Sequence, residues 1–391
     1  MKRTLLSLWI VLAAGLLSLA SPAFAQDAIP ITQPVHAYYA YGKLRGATTE
    51  EALSGSVAAT TIPMGVYTIT SSRDLNQYLG VVAGRSPLNH GNRETDIPFL
   101  LVPVKVHMPD GGVFDPGVAD STCLGGKVPT AVTQNSPLFN DATFTMNGAG
   151  VGTTQYIDAF QRAAFWENLS VTGNRYHVKL SPFTVLPEQT FNVPANEGGT
   201  FTISGCENLG IMDLTTWDNF VQSTLIPFVA AHGGGTTSFP FFLLYNVGMS
   251  NFSAGAPQFC CILGYHSSFT PAGNVQTYGV GDFDSQAKFV GTADVSALSH
   301  EIGEWMNDPI GGNATPGWTG GQVTTSQCNF EVGDPLSGTL FPTVTLSGFN
   351  YHLQELAFFS WFYGAPSLGS GGKFSNNGTF TADAGAPLSC F

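Results

Sequence analysis

Between Lys288 and Lys373 the chain has no lysine and no arginine, yet this stretch holds Asp294, Glu301, Glu304, Asp308, Glu331, Asp334 and Glu355. If a fold gathers these carboxylates, a cation must meet their charge, because an unpaired buried carboxylate is very costly. A solvated acidic face is the ordinary outcome for such a run. Lysines distant in sequence are the other source of positive charge. The spacing of the ligand-type residues argues for the cation.

Asp294–Pro309, D-V-S-A-L-S-H-E-I-G-E-W-M-N-D-P, reads as one short helix. Asp294 is a suitable N-cap, since its carboxylate can accept the free amide hydrogens of the first turn. Pro309 ends the helix by pushing Asp308 out of the helical region. At about 100° per residue, Val295, Leu298, Ile302, Trp305 and Met306 fall on one side. His300, Glu304, Asn307 and Asp308 fall on the other. His300 and Glu304 are four residues apart, which stacks them about 6 Å apart on one face, within reach of a single ion. Glu301 sits at the edge of that face, where it would reach a water on the ion. Asp308 lies at the helix C-terminus, the unfavourable end for a negative charge.

His300-Glu301-Ile302-Gly303-Glu304 resembles the H-E-x-x-H helix of the zincin metalloproteases, with Glu304 where the second histidine stands. The resemblance implies zinc on His300 and Glu304, with Glu301 as general base. Carboxylate is an accepted zinc ligand. More oxygen donors favour harder cations, so calcium is the alternative ion. In the gluzincin branch the third ligand is a downstream glutamate, a place that falls to Glu331 in C-N-F-E-V-G-D-P. Asp334 would then orient a ligand or bind the ion itself, and Asp308 is a further ligand candidate. His352, in N-Y-H-L-Q-E-L, is the rival third ligand, and His266 a more distant one. Alternatively Tyr351 or His352 donates to the oxyanion, as a downstream His or Tyr does in related proteases. In that family an edge strand beside the helix takes the extended peptide. The Cys260–His266 or the Gln276–Phe283 strand would be that edge here.

Met1–Ala25 reads as a secretory signal: Lys2 and Arg3, an apolar Leu5–Leu19, then Ala23-Phe24-Ala25. The apolar run is short for a membrane span. The expected product is secreted, extracellular or periplasmic, and begins near Gln26. A net charge of −13 argues against nucleic acid and anionic membranes as partners. Six cysteines in an exported chain imply three disulfides, with fifteen possible pairings. Cys260 and Cys261 are adjacent and are expected to take different partners. A bridge at Cys328 would hold the Glu331 loop.

The expected fold class is α+β. With 46 glycines, 24 prolines and 12% aromatic residues, the chain should be ordered but rich in strands and loops. Residues 26–195 form a β-rich domain in this reading, and 196–391 a zincin-like catalytic domain with a mixed sheet and the metal-face helix. Strands are expected at Val35–Tyr41, Gly65–Thr70, Pro98–His107 and Tyr176–Leu180. A helix over Thr154–Trp166 would carry a surface pair, Asp158 with Arg162. His36, His90, His107 and His177 read as structural. A second helix spans Leu214–Ala231, capped by Asp213, kinked at Pro227 and stopped by Gly233–Gly235. Strands follow at Phe239–Val247, Cys260–Tyr265 and Gln276–Phe283.

The activity this reading implies is metal-assisted hydrolysis of a peptide or protein substrate. The ion lowers the pKa of water and polarises the carbonyl, while Glu301 takes a proton and passes it to the leaving amine. Two other classes compete. One is a non-catalytic secreted protein stapled by calcium. The other is a surface or carbohydrate-binding module, from the glycine-rich aromatic strands of the first half.

Overall fold

Phe239–Tyr245, F-P-F-F-L-L-Y, is a strand buried along its whole length. Phe239, Phe241 and Leu243 face one apolar cluster, Phe242 and Leu244 another. Such an unbroken apolar run suits a parallel strand covered on both faces. It lies inside the sheet that organises the molecule.

The computed structural model describes residues 61–88, 92–203, 205–270, 274–285 and 287–390, with the backbone of Ile29–Pro30 and Tyr38–Gly42. The signal sequence, His36 and His90 lie outside the described residues. Twelve described strands form the main sheet. They are β1 (Ile29–Pro30), β2 (Tyr38–Gly42), β3 (Glu94–His107), β4 (Val113–Phe114), β5 (His177–Val185) and β6 (Gln189–Asn192). The others are β7 (Gly198–Thr202), β8 (Leu209–Asp213), β9 (Phe239–Tyr245), β10 (Val247–Ser250), β11 (Ile262–Phe269) and β12 (Gln276–Phe283). The order is β1-β7-β8-β10-β11-β12-β9-β3-β6, with β4 and β5 also on β3 and β2 on β11. Pairing is mixed: β12–β9 and β9–β3 are parallel, β11–β12 antiparallel. The fold is thus α+β and strand-rich. Strands from both sides of residue 195 share the sheet, and one core cluster runs from Ile62 to Phe374.

Helices cover the two faces. Helix α1 (Tyr156–Ala164) and helix α3 (Ser296–Asn307) bury Ile157, Phe160, Leu298, Ile302 and Trp305 in one cluster. Helix α2 (Leu214–Phe220) and its continuation bury Trp217, Val221, Leu225 and Val229 in the other. Asp213 caps α2, accepting from Thr216 N at 2.9 Å. The expected kink is a π turn at Val221–Leu225, after which Ile226–Ala231 resumes the helix around Pro227.

Three expectations are corrected here. Neither β11 nor β12 is an edge: β11 lies between β2 and β12, and β12 between β11 and β9. Cys260 and Cys261 bond to each other, beside Cys123–Cys206 and Cys328–Cys390. Asp158 and Arg162 are not a surface pair. Asp158 is buried, accepts from Thr154 Oγ1 and Val178 N at 2.7 Å each, and faces His177 Nδ1 at 2.6 Å. Arg162 donates instead to the carbonyls of Val151 and Tyr176. No helix among the described residues is long and apolar enough to cross a membrane.

Candidate metal centre

Helix α3 is fixed to the sheet by its apolar side. Trp305 stacks on Phe239, ring centres 3.7 Å apart and planes 7° from parallel, and donates Nε1 to Thr277 Oγ1 at 3.1 Å. Two glycines let the polar side come close. A Cβ at Gly264 of β11 would lie 2.6 Å from Glu301 Cγ, and one at Gly333 would lie 2.4 Å from His300 Nδ1. Larger residues at either place would lift the helix or the loop away.

The helix ends differ from expectation at one side. Pro309 terminates it as its chemistry requires, with Asp308 outside the helical region at φ −140°. At the start, Asp294 does not cap. It lies before the helix at φ 34°, and its carboxylate accepts from Val295 N at 2.7 Å and His352 N at 3.0 Å. Its backbone pairs with Asp284 and its carboxylate faces the His352 ring.

His300, Glu301 and Glu304 converge with His266 from β11 and with Glu331 and Asp334 from the following loop. Nε2 of His300 stands 3.0 Å from Glu304 Oε1 and 3.5 Å from Asp334 Oδ1. Nδ1 of His266 stands 3.5 Å from Glu301 Oε2 and 3.6 Å from Glu304 Oε2, while its Nε2 is 3.8 Å from Glu331 Oε2. Two donors on one tetrahedral zinc, each about 2.1 Å from the ion, lie about 3.4 Å apart. The separations made by His300 Nε2 and His266 Nδ1 lie near that edge. His266, Glu304 and Glu331 form one group of donor atoms within 4.8 Å of one another; His300, Glu301 and Glu304 form a second. A further grouping, Asp120, Cys123 and Glu207, lacks a thiolate because Cys123 is bonded to Cys206.

Both imidazoles are held in the manner of metal ligands, one nitrogen tied to a protein oxygen. His300 Nδ1 donates to Gln354 Oε1 at 3.0 Å, and Gln354 Nε2 donates to Gly333 O at 2.7 Å. His266 Nε2 donates to Asp308 O at 3.1 Å. The loop is registered on the helix, since Glu304 Oε1 accepts from Gly333 N at 3.1 Å and Asp334 N at 3.2 Å. The Cys328–Cys390 bridge holds its near end.

All six side chains are buried, and no lysine or arginine contacts them among the described ion pairs. Burial pushes Glu301 and Glu331 well above the usual carboxylate range, and Glu304 adds to both. Burial raises Asp334 to about 7. Burial opposes charge on His300, but Glu304, Asp334 and Glu301 overcome it and raise the ring well above the usual histidine value. Glu304 stays below its usual value because His300 outweighs burial. Burial keeps His266 low. The centre is short of positive charge. Nδ1 of His266 and both oxygens of Glu301 and of Glu331 are buried with no hydrogen-bond partner. Native interiors rarely leave such groups unmet unless an ion or water meets them.

Three expected site residues are elsewhere. The Asp308 carboxylate closes a turn, accepting from Gly312 N at 3.0 Å and Asn313 N at 2.9 Å; only its carbonyl serves the site, through His266. Tyr351 donates its hydroxyl to Val132 O at 2.9 Å. His352 faces Asp294 Oδ2 at 2.6 Å and is half-buried. His266, ranked behind Glu331 and His352 in sequence, sits at the heart of the cluster. The signal was strand alternation: Tyr265 turns to Asp218 near α2, which sends His266 to the opposite face. No family model, curated protein or solved structure matches the chain.

Proposed function

We propose that the chain is a metal-dependent hydrolase, with zinc as the first candidate ion and the peptide bond as the first candidate substrate. The observation that carries this reading is the state of Glu301. Its carboxylate is buried, bonded to no other side chain, and 3.5 Å from His266 Nδ1 beside the His300–Glu304 pair. A general base needs an oxygen left open in this way. Zinc is favoured over calcium because two imidazoles join the carboxylates. A bound ion would supply Lewis acidity and a lowered water pKa. His300 and Glu304 would hold it, with His266, Glu331 or Asp334 completing the set. Glu301 would take a proton from the attacking water and return it to the leaving amine. The peptide bond as substrate rests on the likeness of His300–Glu304 to the zincin helix.

Metal content of the purified chain, measured for wild type and His300→Ala together, tests the ion. Zinc in the wild type and its loss in the variant are expected. Glu301→Gln should retain zinc and lose peptide hydrolysis by about 10²–10⁴-fold. Retained hydrolysis in Glu301→Gln would sink the mechanism.

A second reading, a structural metal staple without catalysis, is favoured by the burial of all six side chains. Structural zinc sites are closed, whereas catalytic ones keep an open position. A chelator that lowers the melting temperature of a chain with no hydrolytic activity would select it.

A further inference from the structure

We propose that the centre is built for two divalent ions bridged by Glu304, an inference that rests on the metal reading above. The two donor groups, His266–Glu304–Glu331 and His300–Glu301–Glu304, share one residue, Glu304. Its oxygens face different histidines: Oε1 lies 3.0 Å from His300 Nε2, and Oε2 lies 3.6 Å from His266 Nδ1. A carboxylate spanning two ligand sets with separate oxygens is the bridging geometry of sites whose ions stand about 3.5–4 Å apart.

The charge balance points the same way. Glu301, Glu304, Glu331 and Asp334 bring four carboxylates to the two buried histidines. With all four ionised and both histidines neutral, one divalent ion would leave two negative charges uncompensated in the interior, at a high desolvation cost. Two ions neutralise the set. The buried atoms without partners are also spread over both halves. His266 Nδ1 and one Glu331 oxygen belong to one group and one Glu301 oxygen to the other, which leaves Glu301 its second oxygen for the proton. A single ion in the His300 group leaves Glu331 unmet, whereas Glu301 Oε2, 3.5 Å from His266 Nδ1, faces both groups.

The test is zinc stoichiometry on the full chain, stripped with chelator and reloaded with zinc alone. Two equivalents are expected in wild type, one in Glu331→Gln and one in His300→Asn. One equivalent in wild type, lost in His300→Asn and untouched by Glu331→Gln, overturns the second ion and leaves the hydrolase reading standing. No bound zinc overturns both. Two equivalents that survive Glu331→Gln overturn the assignment of Glu331. If the variants do not fold, wild type loaded with Mn(II) answers alone. An exchange-coupled paramagnetic resonance spectrum supports the bridge, and an isolated-ion spectrum overturns it.

Discussion

Gln354 Oε1 lies 3.0 Å from His300 Nδ1 and so decides which nitrogen of that ring faces Glu304. The amide is itself held, with Nε2 on Gly333 O at 2.7 Å and its backbone N on Ser299 Oγ at 2.8 Å. Gln354→Leu should therefore weaken zinc binding by about 10–100-fold, the usual effect of removing an orienting partner. Competition against a chromogenic chelator measures this. An unchanged affinity would remove Gln354 from the centre.

Gly333→Ala should damage the same ring from the other side. The added Cβ meets His300 Nδ1 at 2.4 Å and Cε1 at 2.6 Å. Overpacking of this kind costs about 1–3 kcal/mol, and the ring must leave Glu304. Gly150→Ala is the control, because a Cβ there meets nothing within 4 Å. Denaturant unfolding and zinc affinity should both fall for Gly333→Ala and hold for Gly150→Ala.

The hydrogen bond to Asp294 raises the His352 pKa above the usual histidine value, against partial burial. A raised folded-state value means the pair stabilises fully below the unfolded value of about 6.5. That stabilisation is lost as pH rises through the folded value. Ring titration by NMR should show His352 above about 6.5 in wild type and lower in Asp294→Asn. The melting difference between wild type and His352→Ala should shrink from mildly acid to alkaline pH. A ring titrating at or below the ordinary value would count against the pairing.

Breaking Cys328–Cys390 should cost about 2–5 kcal/mol by freeing the unfolded chain. It should also weaken zinc binding, because Glu331 follows Cys328 closely and loses that anchor. Melting Cys328→Ser beside wild type, with and without reductant, reads the first effect. If reductant lowers wild type no further than the variant, the bridge accounts for the difference.

Helix α3 was legible because its signals are local. The apolar spacing from Val295 to Met306 is periodic, and Pro309 stops it. Glu331 and Asp334 stood out as ligand types in a stretch without lysine or arginine. The side chains of Asp308, Tyr351 and His352 stand apart from the cluster because ordinary partners hold them: loop amides, the Val132 carbonyl and Asp294. His266 was ranked too low because no spacing encodes which strand lies under a helix. Strand order was equally hidden, so the supposed edges turned out interior.

The parallel pairing of β3 with β9 sets the order in which this chain can assemble. On this side of β3, Phe99 pairs with the distant Phe239, and β9 in turn needs Gly279 from β12. Such distant pairings carry a large loop-closure cost before they return any stability, which slows folding. Most of the polypeptide must emerge before its centre can close, and α3 arrives later still. The cluster of acids closes only once Glu331, far along the chain, has met His266 on that sheet and Asp334 has met His300.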